Sequence, residues 1–192
     1  MCENNFIYMK TTSESIIWKS NVALKLLLFF FENASSEFYE SQIKKQTELS
    51  MGGVNKYLKL LAKEDFLLLR KKGKMNFYRL NRENIIVKHL KITYSLSTPA
   101  VAQLKEIGRK FGIKLYLYGS VARGEDDEKS DWDVLVIGNI KTSELEAEIR
   151  ALRKRFNKEI RLTIFTNKEW LGLPKKDLAF YQRLEKDRIE LV

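Results

Sequence analysis

Two neighbouring stretches decide the fold of this chain: Leu115-Tyr-Leu-Tyr-Gly119-Ser120-Val-Ala-Arg123-Gly124 and Ser130-Asp-Trp-Asp133-Val-Leu-Val-Ile137. Their apolar runs predict two short strands, separated by a tight Gly-Ser turn that leads into a helix start and then a charged loop. Side chains alternate between the two faces of a strand, so Asp131 and Asp133 project from the same face of the second strand.

The residue types in these stretches point to phosphate chemistry. Two carboxylates side by side repel each other unless a cation lies between them, so Asp131 and Asp133 predict a divalent metal site. The turn at Gly119 and Ser120 offers backbone N–H groups and a hydroxyl to a phosphate. A phosphate-binding turn beside metal-binding carboxylates is typical of phosphoryl or nucleotidyl transfer.

The spacing of these residues resembles a family signature. Gly119-Ser120, ten further residues and then Asp131-Trp132-Asp133 are similar to the G-S-x10-D-x-D pattern of the polymerase-β-type nucleotidyltransferase superfamily, and above all to its minimal members. The resemblance covers roughly residues 100–170. It implies that Gly119 and Ser120 hold nucleotide phosphates, that both aspartates bind Mg²⁺ and act in catalysis, and that AMP is transferred from ATP to an acceptor.

Two features leave the activity open. Arg123 is either a nucleotide-binding residue or the partner of Glu125 or another acid. Active members of the superfamily typically carry a third carboxylate on the following strand, where the best register places Arg161, a cation that would partly replace the metal. A register change of two residues would make Glu159 the third metal ligand. The acidic loop at residues 125–128 is predicted to be either a solvated turn or a further source of ligands.

The first half of the chain predicts three helices and a hairpin. The helices cover residues 13–31, 39–46 and 51–63, with Ser50 as the N-cap of the third, and the hairpin covers residues 66–80. This order resembles the winged helix-turn-helix domain of prokaryotic transcription regulators, most clearly from residue 49 to residue 80.

Basic residues are concentrated in the same region. Between Lys56 and Lys91 there are eleven basic residues against three acids, a charge distribution that favours binding to DNA phosphates. The eleven are Lys56, Lys59, Lys63, Arg70, Lys71, Lys72, Lys74, Arg79, Arg82, Lys88 and Lys91. The candidate DNA contacts are Asn55, Lys56 and Lys59 on the third helix, and Arg70, Lys71, Lys72 and Lys74 in the hairpin.

Composition narrows the class of protein. A net charge of +10 and a pI near 9.5 favour a polyanionic partner, nucleic acid before membrane. A single cysteine, Cys2, and a single histidine, His89, argue against an internal disulfide framework and a zinc site. The chain has no apolar run of membrane-spanning length and no signal-peptide pattern, so a cytoplasmic location is predicted.

These features predict an α+β protein of two domains. Residues 1–95 form a winged helix-turn-helix domain that binds double-stranded DNA, and residues 96–192 form a small mixed-sheet nucleotidyltransferase-like domain. The boundary is expected at residues 92–98, beside Pro99. Within the second domain, helices are predicted over residues 100–111, 142–155 and 176–185, and strands over residues 159–165 and 189–192.

Two functions remain open on the sequence. One is a Mg²⁺-dependent nucleotidyltransferase that moves AMP from ATP to a protein or other acceptor. The other is a DNA-binding transcription regulator or antitoxin whose degenerate second domain only binds a nucleotide or a partner. The resemblances imply a toxin as a possible partner and a homodimer as a possible assembly.

Overall fold

The structure is a computed structural model and describes residues 20–192. Across this range the chain forms eight helices and two β-sheets, which confirms the predicted α+β class. It divides into two compact units, whose described parts are residues 20–29 with 37–79, and residues 30–36 with 80–192. Cys2 and the predicted helical residues 13–19 lie outside the described range.

The first half contains the three predicted helices and the predicted hairpin in the expected order, together with one short strand, Phe38–Tyr39, that the sequence does not predict. These elements are α1 (Asn21–Glu32), β1 (Phe38–Tyr39), α2 (Glu40–Thr47), α3 (Met51–Lys63), β2 (Leu67–Lys72) and β3 (Met75–Leu80). The three strands form one sheet in the order β1-β3-β2. Ser50 caps α3, because its hydroxyl accepts a hydrogen bond from the Gly53 N–H at 3.2 Å. The helix buries Val54, Leu58 and Leu61, which share one face at the spacing i, i+4, i+7.

The second half of the chain contains more helices and strands than the first half. Its elements are α4 (Ile85–Leu96), α5 (Pro99–Phe111), β4 (Lys114–Tyr118), β5 (Trp132–Ile137), α6 (Thr142–Phe156), β6 (Ile160–Phe165), α7 (Asn167–Lys176), α8 (Leu178–Asp187) and β7 (Ile189–Glu190). The strand order is β6-β5-β4-β7, with β5 and β6 parallel and the other pairs antiparallel. The predicted small mixed sheet is therefore confirmed.

Both faces of this sheet are covered by helices. Trp132, Val134 and Val136 of β5 belong to a core shared with α5 and α6. The alternating residues Leu135 and Ile137 belong to a second core, shared with α7 and α8. Because the two faces alternate along a strand, Asp133 lies on the face covered by α7 and α8, close to the first residue of β5.

The C-terminal helix prediction is corrected by the structure. The sequence predicts a single helix over residues 176–185, whereas the structure has two helices, α7 and α8, that meet at Asp177. Pro174 lies inside α7 and made this stretch look like a helix boundary. The capping box formed by Thr166 and Glu169 is the sequence signal that marks the start of α7.

The compact units separate after Arg79, so α4 and the predicted boundary at residues 92–98 fall inside the second unit. The functional division at residue 95 stays a prediction. None of the helices within residues 20–192 combines the length and the apolar composition needed to cross a membrane.

Gly124 is a position where a side chain has no room. Its φ is +66°, and a Cβ atom added there would lie 2.3 Å from the carbonyl oxygen of Lys88 in α4. We expect Gly124→Ala to lower the free energy of unfolding by about 2–4 kcal/mol, because both backbone strain and a clash with backbone must be relieved. Urea unfolding followed by circular dichroism measures the change.

The matched control is Gly172→Ala, in the exposed helical position of α7 where a Cβ would meet nothing within 4 Å. It should raise stability by about 0.5–1 kcal/mol through helix propensity. Equal effects of the two substitutions would contradict the close packing of α4 on residue 124.

Candidate functional site

The Gly-Ser motif forms a compact turn. Residues 119–124 are closed by hydrogen bonds from the Arg123 N–H to the Gly119 carbonyl at 3.2 Å and from the Glu125 N–H to the Ser120 carbonyl at 2.9 Å. The helix predicted to start here is wrong, because the turn ends at Gly124, which has positive φ. Within the described residues, the Ser120 hydroxyl has no hydrogen-bond partner, which leaves it free for a ligand.

Gly119 brings this turn against the second aspartate. Its φ is +73°, and a Cβ added at this position would lie 2.6 Å from Asp133 Oδ2. Tyr118 pairs directly with Asp133 between β4 and β5. The absence of a side chain at residue 119 therefore lets the turn approach the Asp133 carboxylate closely, which a Cβ atom there would prevent.

Asp131 and Asp133 have different surroundings, although they share one face. Asp131 precedes β5, is 23% exposed and forms an ion pair with Arg161. Asp133 is half-buried and has no hydrogen bond or ion pair within residues 20–192. Burial raises the pKa of Asp133; the Arg161 charge opposes this shift and the Asp131 charge adds to it.

Arg161 takes the place predicted for a third carboxylate. In the parallel pairing of β5 and β6, Asp133 lies beside Arg161 and Trp132 lies beside Ile160. The alternative register, with Glu159 beside Asp133, is therefore not adopted. Glu159 is exposed, and its backbone carbonyl accepts a hydrogen bond from the Trp132 N–H at 2.9 Å.

The donor set can be compared with the needs of Mg²⁺. Across residues 20–192, no group of three or more His, Cys, Asp or Glu side chains is placed to hold a metal ion. Mg²⁺ commonly uses one or two carboxylates and takes its other ligands from water and substrate phosphates. Asp133 and Asp131 fit that pattern, provided that Arg161, whose side chain is 74% exposed, releases Asp131.

Tyr118 and Thr163, which the sequence analysis does not identify as site residues, lie on the same sheet face as Asp133. The hydroxyls of Tyr118 in β4 and Thr163 in β6 are hydrogen-bonded at 2.8 Å, across the intervening strand β5. Both lie on the face that carries Asp133 and Arg161. The period-2 pattern indicated this shared face, but the pairing of strands set the contact.

Arg123 is engaged by acids. Its guanidinium donates hydrogen bonds to Glu125 Oε2 at 2.8 Å and to Asp187 Oδ2, at the end of α8, at 3.2 Å. The salt-bridge interpretation of Arg123 therefore describes this structure. A role for Arg123 in nucleotide binding stays a prediction.

The acidic loop at residues 125–128 is held in place by side chains of its own unit. Lys88 Nζ lies 3.1 Å from Glu125 Oε1, and Arg82 donates a hydrogen bond to the Glu125 carbonyl. Hydrogen bonds from Arg123 and Lys88 lower the pKa of Glu125.

Glu128 accepts hydrogen bonds from the Ser35 hydroxyl at 2.6 Å and the Ser36 hydroxyl at 3.0 Å. The loop is therefore a partly exposed turn whose acids are engaged by neighbouring side chains, with Asp126 buried and Glu128 exposed.

The centre of this loop is a buried ion pair. Lys91 Nζ lies 2.5 Å from Asp126 Oδ2, and the two side chains are only 3% and 10% exposed. Burial lowers the pKa of Lys91, and the attraction of Asp126 opposes that shift. The pair fixes the segment that joins the Gly119 turn to Asp131.

The predicted DNA contacts lie on the first unit. Asn55, Lys56 and Lys59 are exposed on α3, opposite its buried face. Lys71, Lys72 and Lys74 are exposed in the hairpin, whereas Arg70 pairs with Glu37. Three cations counted in the basic cluster, Arg82, Lys88 and Lys91, hold the acidic loop instead.

The geometry defines an α+β domain with a turn, two aspartates and a neighbouring arginine on one sheet face. Residues 101–190 match the family model described as the nucleotidyltransferase domain. A search of curated proteins found no match to this chain. The family match supports nucleotidyl transfer as the general class of activity of residues 101–190.

Glu128 makes the held loop sensitive to acid. Burial alone would raise the pKa of Glu128, but hydrogen bonds from Ser35, Ser36 and backbone N–H groups outweigh it and lower the pKa from 4.5 to about 2. A carboxylate with a lowered pKa stabilises the fold above pH 4.5, and this stabilisation is lost as the pH falls toward 2.

We expect Glu128→Gln to reduce the free energy of unfolding at pH 7 by about 1 kcal/mol, a value lowered for solvent screening. The difference from the parent protein should shrink as the pH falls from 4.5 toward 2. Urea unfolding across this pH range tests it. Glu106→Gln, at an exposed position of α5, is the control and should change stability little at any pH.

Proposed function

We propose that residues 101–190 bind a magnesium–nucleoside triphosphate and transfer its nucleotidyl group, AMP from ATP, to a protein or other acceptor. The observation that carries this proposal is the Asp133 carboxylate, half-buried without a partner and set against the Gly119 turn. A carboxylate in that position needs a cation to offset its burial, and Mg²⁺ with a triphosphate provides one.

Different side chains of this chain would bind the metal and the phosphates. Asp131 and Asp133 would hold the metal, and the Ser120 hydroxyl with the N–H groups of the turn would hold phosphate oxygens. Bound magnesium neutralises triphosphate charge and stabilises the charge that develops during transfer. The buried pair of Lys91 and Asp126 keeps the connecting loop in one conformation, so the turn and the aspartates stay in register.

A second candidate function is favoured by Arg161. Its ion pair with Asp131 supplies a positive charge where the superfamily places a carboxylate. A site with this charge arrangement can hold a nucleotide or a protein partner without turnover. The protein would then act as a DNA-binding regulator or antitoxin, with a toxin as its partner.

In either case we propose that the first half is a winged helix-turn-helix domain of a cytoplasmic, DNA-binding protein that acts as a homodimer. Three helices followed by a hairpin, with exposed lysines on α3 and on the hairpin, support this proposal. Asn55, Lys56 and Lys59 would enter the major groove, and Lys71, Lys72 and Lys74 would contact phosphates.

Asp133→Asn tests the nucleotide site. We expect magnesium-dependent binding of ATP in calorimetry, reduced at least tenfold in the variant, because the amide removes the charge that holds the metal. Glu159→Asn is the matched control and should bind ATP as the parent does, since Glu159 is not beside Asp133. Equal ATP binding by the parent and Asp133→Asn would contradict the proposed site.

Arg161→Gln separates the two candidate functions. Removing the competing cation should tighten magnesium-dependent ATP binding several-fold. With α-labelled ATP, a transferase moves label to an acceptor in a cell extract, and Asp133→Asn abolishes that transfer. Magnesium-dependent ATP binding without label transfer by the parent protein would instead support the regulator.

The double variant Lys72→Ala and Lys74→Ala tests the DNA interface. We expect weaker binding to all duplex sequences alike and a salt dependence whose log–log slope is smaller by about two, because each phosphate contact contributes about one. Fluorescence anisotropy at several salt concentrations measures both quantities.

The matched control removes two exposed lysines from α7, Lys175→Ala with Lys176→Ala, and keeps the same net charge change. It should leave the slope unchanged. Equal slopes for both double variants would show that net charge, rather than the hairpin, accounts for DNA binding.

A further inference from the structure

One edge of the sheet in the second unit is long and unprotected. The strand β6 has six residues and lies first in the order β6-β5-β4-β7, so only one of its two sides is paired. An unpaired edge presents backbone N–H and C=O groups that another chain can bind, and proteins usually protect such an edge.

The three other sheet edges within residues 20–192 carry that protection. The strands β1 and β7 are only two residues long. The strand β2 is as long as β6 but carries three consecutive cations, Arg70, Lys71 and Lys72. In contrast, β6 has one cation, Arg161, no proline, and four partly buried residues at its end. Short strands and rows of lysine discourage pairing with another chain, and β6 has neither feature.

The pairing with β5 shows which backbone groups of β6 face outward. The carbonyls of Glu159 and Phe165 point toward β5, and each accepts a hydrogen bond at 2.9 Å from that side. Successive residues of a strand direct their backbone groups to opposite sides, so Leu162 and Ile164 direct theirs away from β5. Within residues 20–192, these outward N–H and C=O groups of Leu162 and Ile164 have no hydrogen-bond partner.

The free part of the edge is closed at both ends by side chains. Arg153 Nε and Nη2 donate hydrogen bonds to the Ile160 carbonyl at 3.1 and 2.5 Å. At the other end, the Thr166 N–H donates a hydrogen bond to Glu169 Oε2 at 2.8 Å. The two residues whose outward groups are both free are therefore placed symmetrically about Thr163.

We propose that β6 pairs with β6 of a second copy of this chain, in the antiparallel direction, about a two-fold axis at Thr163. In this register Leu162 lies opposite Ile164 of the partner subunit, and the two residues exchange both hydrogen bonds. The symmetry repeats this exchange, so all four free groups of each edge are satisfied. The two four-stranded sheets then form one continuous sheet.

The side chains are compatible with the same register. Leu162 and Ile164 are partly buried apolar residues packed on the core that α5 and α6 share, and their pairing across the axis extends that core. Arg161 lies opposite Phe165 of the partner subunit and not opposite its own copy. A cation therefore faces an aromatic ring, and the two like charges stay apart.

This inference rests on the proposed homodimer and gives it an interface in the second unit. It does not depend on DNA binding or on nucleotidyl transfer. A second copy matches the edge because the free groups are symmetric about one residue, a property that an unrelated extended peptide does not need.

Ile164→Pro tests the backbone pairing. Proline removes the outward N–H of residue 164, while the hydrogen bonds between β5 and β6 remain. Ile164→Ala is the matched control, because it loses the apolar side chain and keeps the N–H. We expect the parent to sediment as a dimer at micromolar concentration, and Ile164→Pro to weaken the dimer at least tenfold more than Ile164→Ala does. Sedimentation velocity over a range of concentrations measures the dissociation constants.

Thr163→Cys tests the register and keeps the proposal testable if Ile164→Pro does not fold. Residue 163 would lie opposite its own copy in a non-hydrogen-bonded pair, where Cα atoms are about 4.5 Å apart, within the range of a disulfide. In a Cys2→Ser background, we expect mild oxidation to link Thr163→Cys into a covalent dimer. Glu159→Cys is the control and should not be linked, because its two copies would lie about 27 Å apart.

The outcomes separate this interface from the proposed homodimer. A parent protein that stays monomeric at all concentrations would overturn both. A dimer that persists in Ile164→Pro, without cross-linking at residue 163, would overturn only the β6 interface, because the two copies would then associate through another surface.

Discussion

The buried ion pair between Lys91 and Asp126 is the contact on which the candidate site depends. It anchors the middle of the loop that connects the Gly119 turn to the two aspartates. Removing one member of a buried pair leaves an uncompensated charge and typically costs about 3–5 kcal/mol. The desolvation of both charges offsets much of their attraction, so the pair adds little net free energy to folding. Its main effect is to hold the loop in one conformation.

Several basic residues of the chain form ion pairs or hydrogen bonds with this same loop. The sequence shows one continuous basic cluster from Lys56 to Lys91, but the structure separates it into two sets. Arg82, Lys88 and Lys91 are used inside the second unit to hold acidic residues. Lys71, Lys72 and Lys74 remain exposed in the hairpin. Charge density along a sequence therefore overstates the charge that a partner would meet.

Arg161 sets the electrostatics of the aspartate pair. An arginine that neutralises Asp131 leaves Asp133 as the carboxylate whose charge is not balanced by a direct partner, and burial raises its pKa. A site with two carboxylates and one permanent cation carries less negative charge than a site with three carboxylates, so it attracts a metal ion less strongly. The exposed guanidinium can turn toward solvent, so occupation of the site and release of Asp131 are linked.

Much of the local structure could be predicted because it is encoded within a few residues. The N-cap at Ser50, the apolar face of α3, the start of α5 at Pro99 and the alternation in β5 all depend on spacing along one element. Most of the order of strands and helices followed from the same patterns, except for β1, α7 and the helix expected after Gly119. The motif lies within residues 101–190, which match the nucleotidyltransferase domain. The sequence does not predict α7 although its capping box is local, because Pro174 within it is a residue that usually stands outside helix interiors.

The sequence by itself determined the types of element and the identity of the groups at the site. It indicated that Arg161 lies beside the aspartates, but a shift of two residues was an equally regular alternative, since a strand repeats every two residues. Only the pairing of β5 with β6 decided between them. The partners of the acidic loop were likewise beyond local patterns. Ser35 bonds to Glu128 and Lys91 pairs with Asp126, and the members of each pair are far apart in the chain and meet only in the folded unit.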